Sequence, residues 1–232
     1  MSELAAPDTV CHQTNRADQL ALDVLLPYLP KMASRVLDCT GVLANRGTAL
    51  KAHGVSEAIG LVDASAGTPD GDEGYDQLVS GPLDFTEIPF EAGSLDCIML
   101  THVLERLRNP DAFLKPLVDC LSPAGMVVMV VPNIQYHKTV FSLAQGRWNY
   151  GDSGVWAKEN LRFFTAYDIR WMLQRLGITN TRFSSLVMDD EATLPRDADG
   201  YVRQGDVRAG PLKDETYAAW LTEYYLVLAT RH

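Results

Sequence analysis

A series of short, wholly apolar runs, several ending in an aspartate, constrains this chain more than any other feature. Arg35-Val-Leu-Asp38 is the first, and residues 58–62 followed by Asp63 are the second. Leu83-Asp84-Phe85, residues 95–100 and residues 126–131 continue the series. The last of these is almost entirely β-branched or apolar, the strongest strand signal in the chain. Short runs without a polar face predict strands buried on both sides. Helical spacing over 17–29, 41–53, 110–121, 138–150 and 166–176 alternates with them. Pro30 stops the first of these helices, Gly54 closes the second, and Thr165 and Gly177 bracket the last. Such alternation implies an α/β fold, a doubly wound, mostly parallel sheet with helices on both faces. Ligands of these sheets bind outside the carboxyl ends of the strands. Asp38, Asp63 and Asp84 all fall at or near such ends.

The remaining segments predict one domain. An N-terminal helix over 17–29 precedes a core over 33–188. Within that core, residues 64–82 are rich in Gly, Pro, Ser and acids and read as a loop. Residues 181–188 and 224–229 read as the closing strands. Between them, residues 189–213 are charged and Gly/Pro-containing, a surface excursion that the residues allow to order on homodimer formation or to stay mobile.

Composition removes several function classes. The chain has 232 residues and a formal net charge of −10 with no local basic patch, so binding to nucleic acid is disfavoured. No stretch approaches the roughly 20 apolar residues that span a bilayer. The first residues carry no basic segment followed by an apolar run, which leaves a cytoplasmic location as the expectation. Cys11, Cys39, Cys97 and Cys120 form no CxxC pair. They read as reduced thiols, three of them inside apolar segments, and no metal is expected.

Several segments in unbroken order over roughly 30–180 resemble the class I S-adenosylmethionine-dependent methyltransferases, in particular the subgroup associated with saccharide and cell-envelope biosynthesis. The matching residues are Val36-Leu-Asp38, Gly60-Leu-Val-Asp63, and Leu83-Asp-Phe-Thr-Glu-Ile-Pro-Phe90. Gly93-Ser-Leu-Asp96, Val103-Leu-Glu105, Leu121-Ser-Pro-Ala-Gly125 and Val131-Pro-Asn133 follow. Gly146-Arg-Trp-Asn-Tyr150 and Leu161-Arg-Phe-Phe-Thr165 complete the set. The resemblance implies a Rossmann-like fold with a seven-stranded sheet and S-adenosylmethionine as cofactor. It implies that Asp63 accepts the ribose hydroxyls and that Asp84 and the Phe85 N–H meet the adenine. Asp38, Thr40 and Gly41 would lie along the methionine end, with Thr101 at the end of the fourth strand.

The cofactor loop departs from the family pattern. Where the family has glycines two, four and six positions after the acid, this chain has Thr40, Val42 and Ala44. The family's Leu-Glu-His appears as Leu104-Glu-Arg106, and an acid and a histidine further on appear as Ala157 and Asn160. Two functions follow. One is methyl transfer to a small-molecule or saccharide hydroxyl, with His102, His137 and Tyr136 as candidate proton acceptors. The other is a catalytically inactive methyltransferase-like domain that binds a protein partner or another ligand, with the aromatic stretch 146–156 as contact surface or lid. A nicotinamide-dependent oxidoreductase would need G-x-G-x-x-G after the first strand, which is lacking.

Overall fold

The structure, a computed structural model, describes residues 22, 25–31, 33–40, 45–63, 74–81 and 88–231. Seven strands form the main sheet. They are β1 (Arg35–Asp38), β2 (Glu57–Asp63), β3 (Gln77–Gly81), β4 (Leu95–Thr101), β5 (Leu121–Pro132), β6 (Asn180–Met188) and β9 (Thr222–Thr230). Their order is β3-β2-β1-β4-β5-β9-β6. The first five pair in parallel, and β9 runs antiparallel to both β5 and β6, so the sheet is mixed. The helices are α1 (Arg46–Ala52), α2 (Pro110–Asp119), α3 (His137–Ala144), α4 (Ala166–Arg175) and α5 (Asp214–Leu221). Among the described residues no helix is long and apolar enough to cross a membrane.

Strand geometry explains why the central runs are apolar throughout. Successive side chains point to opposite faces, and here both faces are covered. Ile98 and Leu100 of β4 pack with Leu114, Leu117 and Ile169, from α2 and α4. Cys97 and Met99 pack on the other face with Leu25, Leu29 and Leu50, the last from α1. The same division splits Val127, Met129 and Val131 from Val128 and Val130 in β5. Cys39, Cys97 and Cys120 are buried free thiols in these layers, whereas Cys11 lies outside the described residues.

Four sequence expectations shift. Leu83-Asp84-Phe85 lies outside the described residues, and the third strand of the sheet is β3, inside the segment 64–82 read as a loop. As an edge strand it leaves Gln77, Leu78 and Ser80 exposed, so it needs no apolar run. Helix α2 ends at Asp119, because Leu121 already pairs with Leu95 before a register slip leads into Met126. Helix α3 likewise ends at Ala144 rather than 150. Of the expected helix over 17–29, the described residues Leu22 and Leu25 are helical and buried, and a 3-10 turn at Leu26–Tyr28 follows them.

The excursion 189–213 is ordered on this chain's own surface. It carries the hairpin β7 (Val202–Gln204) and β8 (Val207–Ala209). Leu194 and Val202 pack with Phe141, Tyr217, Trp220 and Leu221 in a third apolar cluster. Charged composition hid this packing, because a few apolar residues anchor the whole segment.

Helix α4 starts as the sequence predicts. The Thr165 side chain accepts from the Asp168 N–H at 3.2 Å, and the Asp168 carboxylate accepts from the Thr165 N–H at 2.9 Å. Gly177, at φ +81°, takes the left-handed conformation that ends it. Thr165→Ala removes one half of this reciprocal cap and should destabilise the protein by about 1 kcal/mol. A urea midpoint unchanged within error would show that the cap contributes nothing.

Candidate functional site

Strand order reverses between β1 and β4, and the crevice of a doubly wound sheet opens at that point. Asp38 ends β1 on one side of it and Thr101 ends β4 on the other. Asp38 is buried, only 1% exposed, yet it is ionised. Burial pushes its carboxyl upward, but the Arg46 guanidinium and the hydrogen bonds around it outweigh that and hold it below the usual range. Arg46 reaches it as a fork, with Nε to Oδ2 at 2.6 Å and Nη2 to Oδ1 at 3.2 Å. The Thr40 N–H donates to Oδ1 at 3.1 Å and the Tyr75 hydroxyl to Oδ2 at 2.9 Å. A carboxylate has about four acceptor positions, and these four bonds fill them.

Local sequence makes this arrangement. Asn45 adopts φ +69°, a conformation asparagine tolerates, and the chain then enters α1 with Arg46 turned inward. Tyr75 approaches because Gly60 of β2 has no side chain. A Cβ there would stand 3.1 Å from the Tyr75 ring and 2.8 Å from Leu78. Asp76 fixes the segment by accepting from the Ala58 N–H at 2.9 Å. Burial and the neighbouring Asp38 push the Tyr75 hydroxyl far above its ordinary value, so it stays a donor. The Cys39 thiol is pushed up by the same two causes and is no nucleophile.

Two polar atoms at this place have no hydrogen-bond partner among the described residues, Arg46 Nη1 and Thr101 Oγ1, although both residues are buried. Asp63, half-buried, stands where predicted at the end of β2. Gly41, Val42, Ala44, Asp84 and Phe85 lie outside the described residues.

On the other side of the crevice, His102 follows β4 with φ +54°, a strained conformation for a histidine. Its Nδ1 lies 3.0 Å from Oε1 of Glu105. Glu105 is 1% exposed, and its second oxygen lacks a partner. The imidazole stands edge-on to Tyr224, with ring centroids 5.2 Å apart. Arg106, which replaces the family's histidine, points outward to Glu159 at 3.4 Å and stays exposed. The N–H groups of Leu161 and Arg162 both donate to the Glu105 carbonyl, and Phe164 bridges to Asn133. These bonds tie residues 161–164 to the turn after β4 and to the end of β5. There Trp148 stacks edge-on against Phe163 at 5.1 Å, near exposed Tyr150. Asn160 is taken up structurally, donating to the Gly154 and Val155 carbonyls.

Tyr136 and His137 converge elsewhere on the same edge. The Tyr136 hydroxyl donates to Asp189 Oδ2 at 2.6 Å, His137 Nε2 lies 2.8 Å from that oxygen, and Lys138 Nζ lies at 3.2 Å. Burial raises the Asp189 carboxyl, but these donors together hold it below its ordinary range. Glu223, at the start of β9, moves the other way. Burial raises it and Asp189 adds to the rise, with Lys138 only partly opposing. Sequence reasoning missed Arg46, Tyr75, Asp189 and Glu223. The one available signal was Arg46 eight residues beyond Asp38, within reach across a loop.

Sheet order, the reversal at β1 and β4, and acids at the carboxyl ends define the class of Rossmann-like methyltransferase folds. A family model described as a methyltransferase domain matches residues 12–182, and the chain belongs to that family. No curated protein matches the sequence. Among solved structures, the chain is similar to a SAM-dependent methyltransferase from Thermotoga maritima described as a possible histamine N-methyltransferase. Identity is 13%, coverage 96% of each chain, and the TM-score 0.60. A SAM-dependent methyltransferase from Archaeoglobus fulgidus gives 16% identity and a TM-score of 0.59, covering 91% of this chain and 93% of that one. A complex of the Haloferax volcanii Trm112 methyltransferase activator with a methyltransferase gives 16% and 0.57, covering 94% and 91%. These likenesses establish the fold.

The family normally binds S-adenosylmethionine, and the residues present fit it in part. Asp38 has no acceptor left for the cofactor's ammonium. Arg46 Nη1 and Thr101 Oγ1 are unsatisfied polar atoms at the crevice, and Asp63 stands at the strand end that suits a ribose.

Proposed function

We propose that this protein transfers a methyl group from S-adenosylmethionine to a hydroxyl of a small molecule or saccharide. The observation that carries the reading is the His102–Glu105 pair at the carboxyl end of β4, beside the crevice. A buried carboxylate that accepts from Nδ1–H fixes the imidazole and leaves Nε2 as the proton acceptor. With the cofactor bound, His102 would accept the proton of the acceptor hydroxyl as that oxygen takes the methyl group. The bound cofactor supplies the transferable methyl group. Asp63 accepts from the ribose hydroxyls and Thr101 lines the crevice. Trp148, Tyr150 and Phe163 offer aromatic faces over the acceptor, which suits a sugar ring. Tyr136 and His137 serve to position rather than accept a proton, because Asp189 already engages both.

A second reading, a catalytically inactive domain that binds a protein partner or a second copy, is favoured by the saturated Asp38. Its hydrogen bonds leave none of its acceptor positions for the cofactor. Calorimetry and thermal melting with S-adenosylhomocysteine separate the two. Ligand at 100 times its dissociation constant should stabilise the fold by about 2.7 kcal/mol, and Asp63→Ala should reduce that shift. An unchanged melting temperature at millimolar ligand would sink the enzyme reading and direct the search to protein partners.

A further inference from the structure

Arg46 has more hydrogen-bonding capacity than its surroundings use. A guanidinium has five N–H donors in a rigid fork. Nε donates to Asp38, and Nη2 divides its two between Asp38 and Thr40 Oγ1, the latter at 3.1 Å. Among the described residues the two on Nη1 have no partner, although Arg46 is only 2% exposed. A buried donor left unmade carries its desolvation cost without return, so each such atom calls for an explanation. Within the cluster Arg46 serves Asp38, Thr40 and, more weakly, the Tyr75 hydroxyl. The fork already spans both carboxylate oxygens, and its geometry directs Nη1 away from Asp38.

We infer that Arg46 is the carboxylate-recognition residue of the cofactor site: its Nη1 holds the α-carboxylate of the methionine end. This rests on the methyltransferase reading above. It accounts for the chain's departure from the glycine pattern, since a fixed guanidinium supplies the donors that backbone N–H groups supply elsewhere. It also reverses what the site selects. With four bonds already made to Asp38, the ligand's ammonium gains no partner there, so recognition runs through the carboxylate alone.

The test is calorimetry on the full chain with four probes. These are S-adenosylhomocysteine, its decarboxylated analogue, its deaminated analogue, and 5′-methylthioadenosine, which lacks both groups. Loss of the carboxylate should weaken binding about 10- to 100-fold, the range of a charge-assisted hydrogen bond. Loss of the amino group should change it by less than about threefold. In Arg46→Gln the gap between S-adenosylhomocysteine and the decarboxylated analogue should close while 5′-methylthioadenosine binds as before. Arg46→Lys keeps the charge without the fork and should retain part of the gap. Melting curves of both variants confirm that they are folded before titration, and pairing Arg46→Gln with Asp38→Asn restores neutrality should the single variant unfold. A gap that persists in the folded variants, or a wild type that prefers the amino group, overturns the inference and leaves the cofactor reading standing. Failure of all four probes to bind overturns both.

Discussion

Arg46→Met will cost this protein about 3–5 kcal/mol of stability at neutral pH, because it strands a buried charge. Asp38 is ionised inside the fold only because Arg46, Tyr75 and Thr40 donate to it. Remove the guanidinium, and two of the four bonds and the compensating charge go together. The loss has a pH signature that a packing defect would lack. In the wild type the folded Asp38 carboxyl lies below its unfolded value, so its contribution is present above the unfolded value near 4. It is lost as pH falls through the lower folded value. In the variant, burial without the cation raises the folded carboxyl above the unfolded value. Its penalty therefore grows as pH rises and shrinks as pH falls and the carboxyl protonates. Urea unfolding at neutral and at mildly acid pH should show the gap between the two proteins narrowing on the acid side. A loss below about 1 kcal/mol, or one independent of pH, would mean that the pair is not the buried unit described.

That same pair marks the boundary of what the sequence disclosed. Strands β1, β2, β4 and β5 were legible because burial on both faces demands apolar residues at every position. The acids that end β1 and β2 were legible as breaks in those runs, but nothing in the run told that Asp38 stays buried, held by Arg46, while Asp63 is half-buried. Strand β3 was not, because Gln77, Leu78 and Ser80 sit at an edge where burial demands nothing. An arginine early in a helix reads as solvated, so its inward turn to Asp38 appears only with the loop's geometry. Tyr75 lay in a segment whose acids and glycines suggest no structure. It reaches Asp38 across 37 residues of sequence, through the space that Gly60 leaves. His102 was already a candidate in the sequence, but its partner was not: Glu105 stood there only as part of a family motif, and the turn after β4 brings its carboxylate within 3.0 Å of the imidazole. Asp189 was dismissed with its charged neighbours, although three side chains converge on one of its oxygens. Local pattern predicts elements, whereas contacts between distant segments assemble the site.

His102→Asn should lower the rate of methyl transfer about 100- to 10,000-fold, the range for losing a positioned general base. Asparagine is the instructive replacement because it tolerates the positive φ that His102 adopts. The backbone turn then survives while the basic nitrogen is lost. Affinity for S-adenosylhomocysteine should remain within about twofold and melting should barely move, so the loss appears in turnover. Glu105→Gln should give a smaller loss in turnover, since the histidine remains but its Nδ1 no longer faces a carboxylate. Its stability will also change, because Glu105 is buried, and turnover must therefore be normalised to folded protein. The assay follows label from S-adenosylmethionine into hydroxyl acceptors, saccharides first, and compares both variants with wild type on whichever acceptor is methylated. Full turnover in His102→Asn would remove His102 from the reaction. Glu223 would then be the next base to test, since burial beside Asp189 already raises its carboxyl above the ordinary range. It too stands at the carboxyl edge of the sheet, one residue before Tyr224, the ring against which His102 stacks.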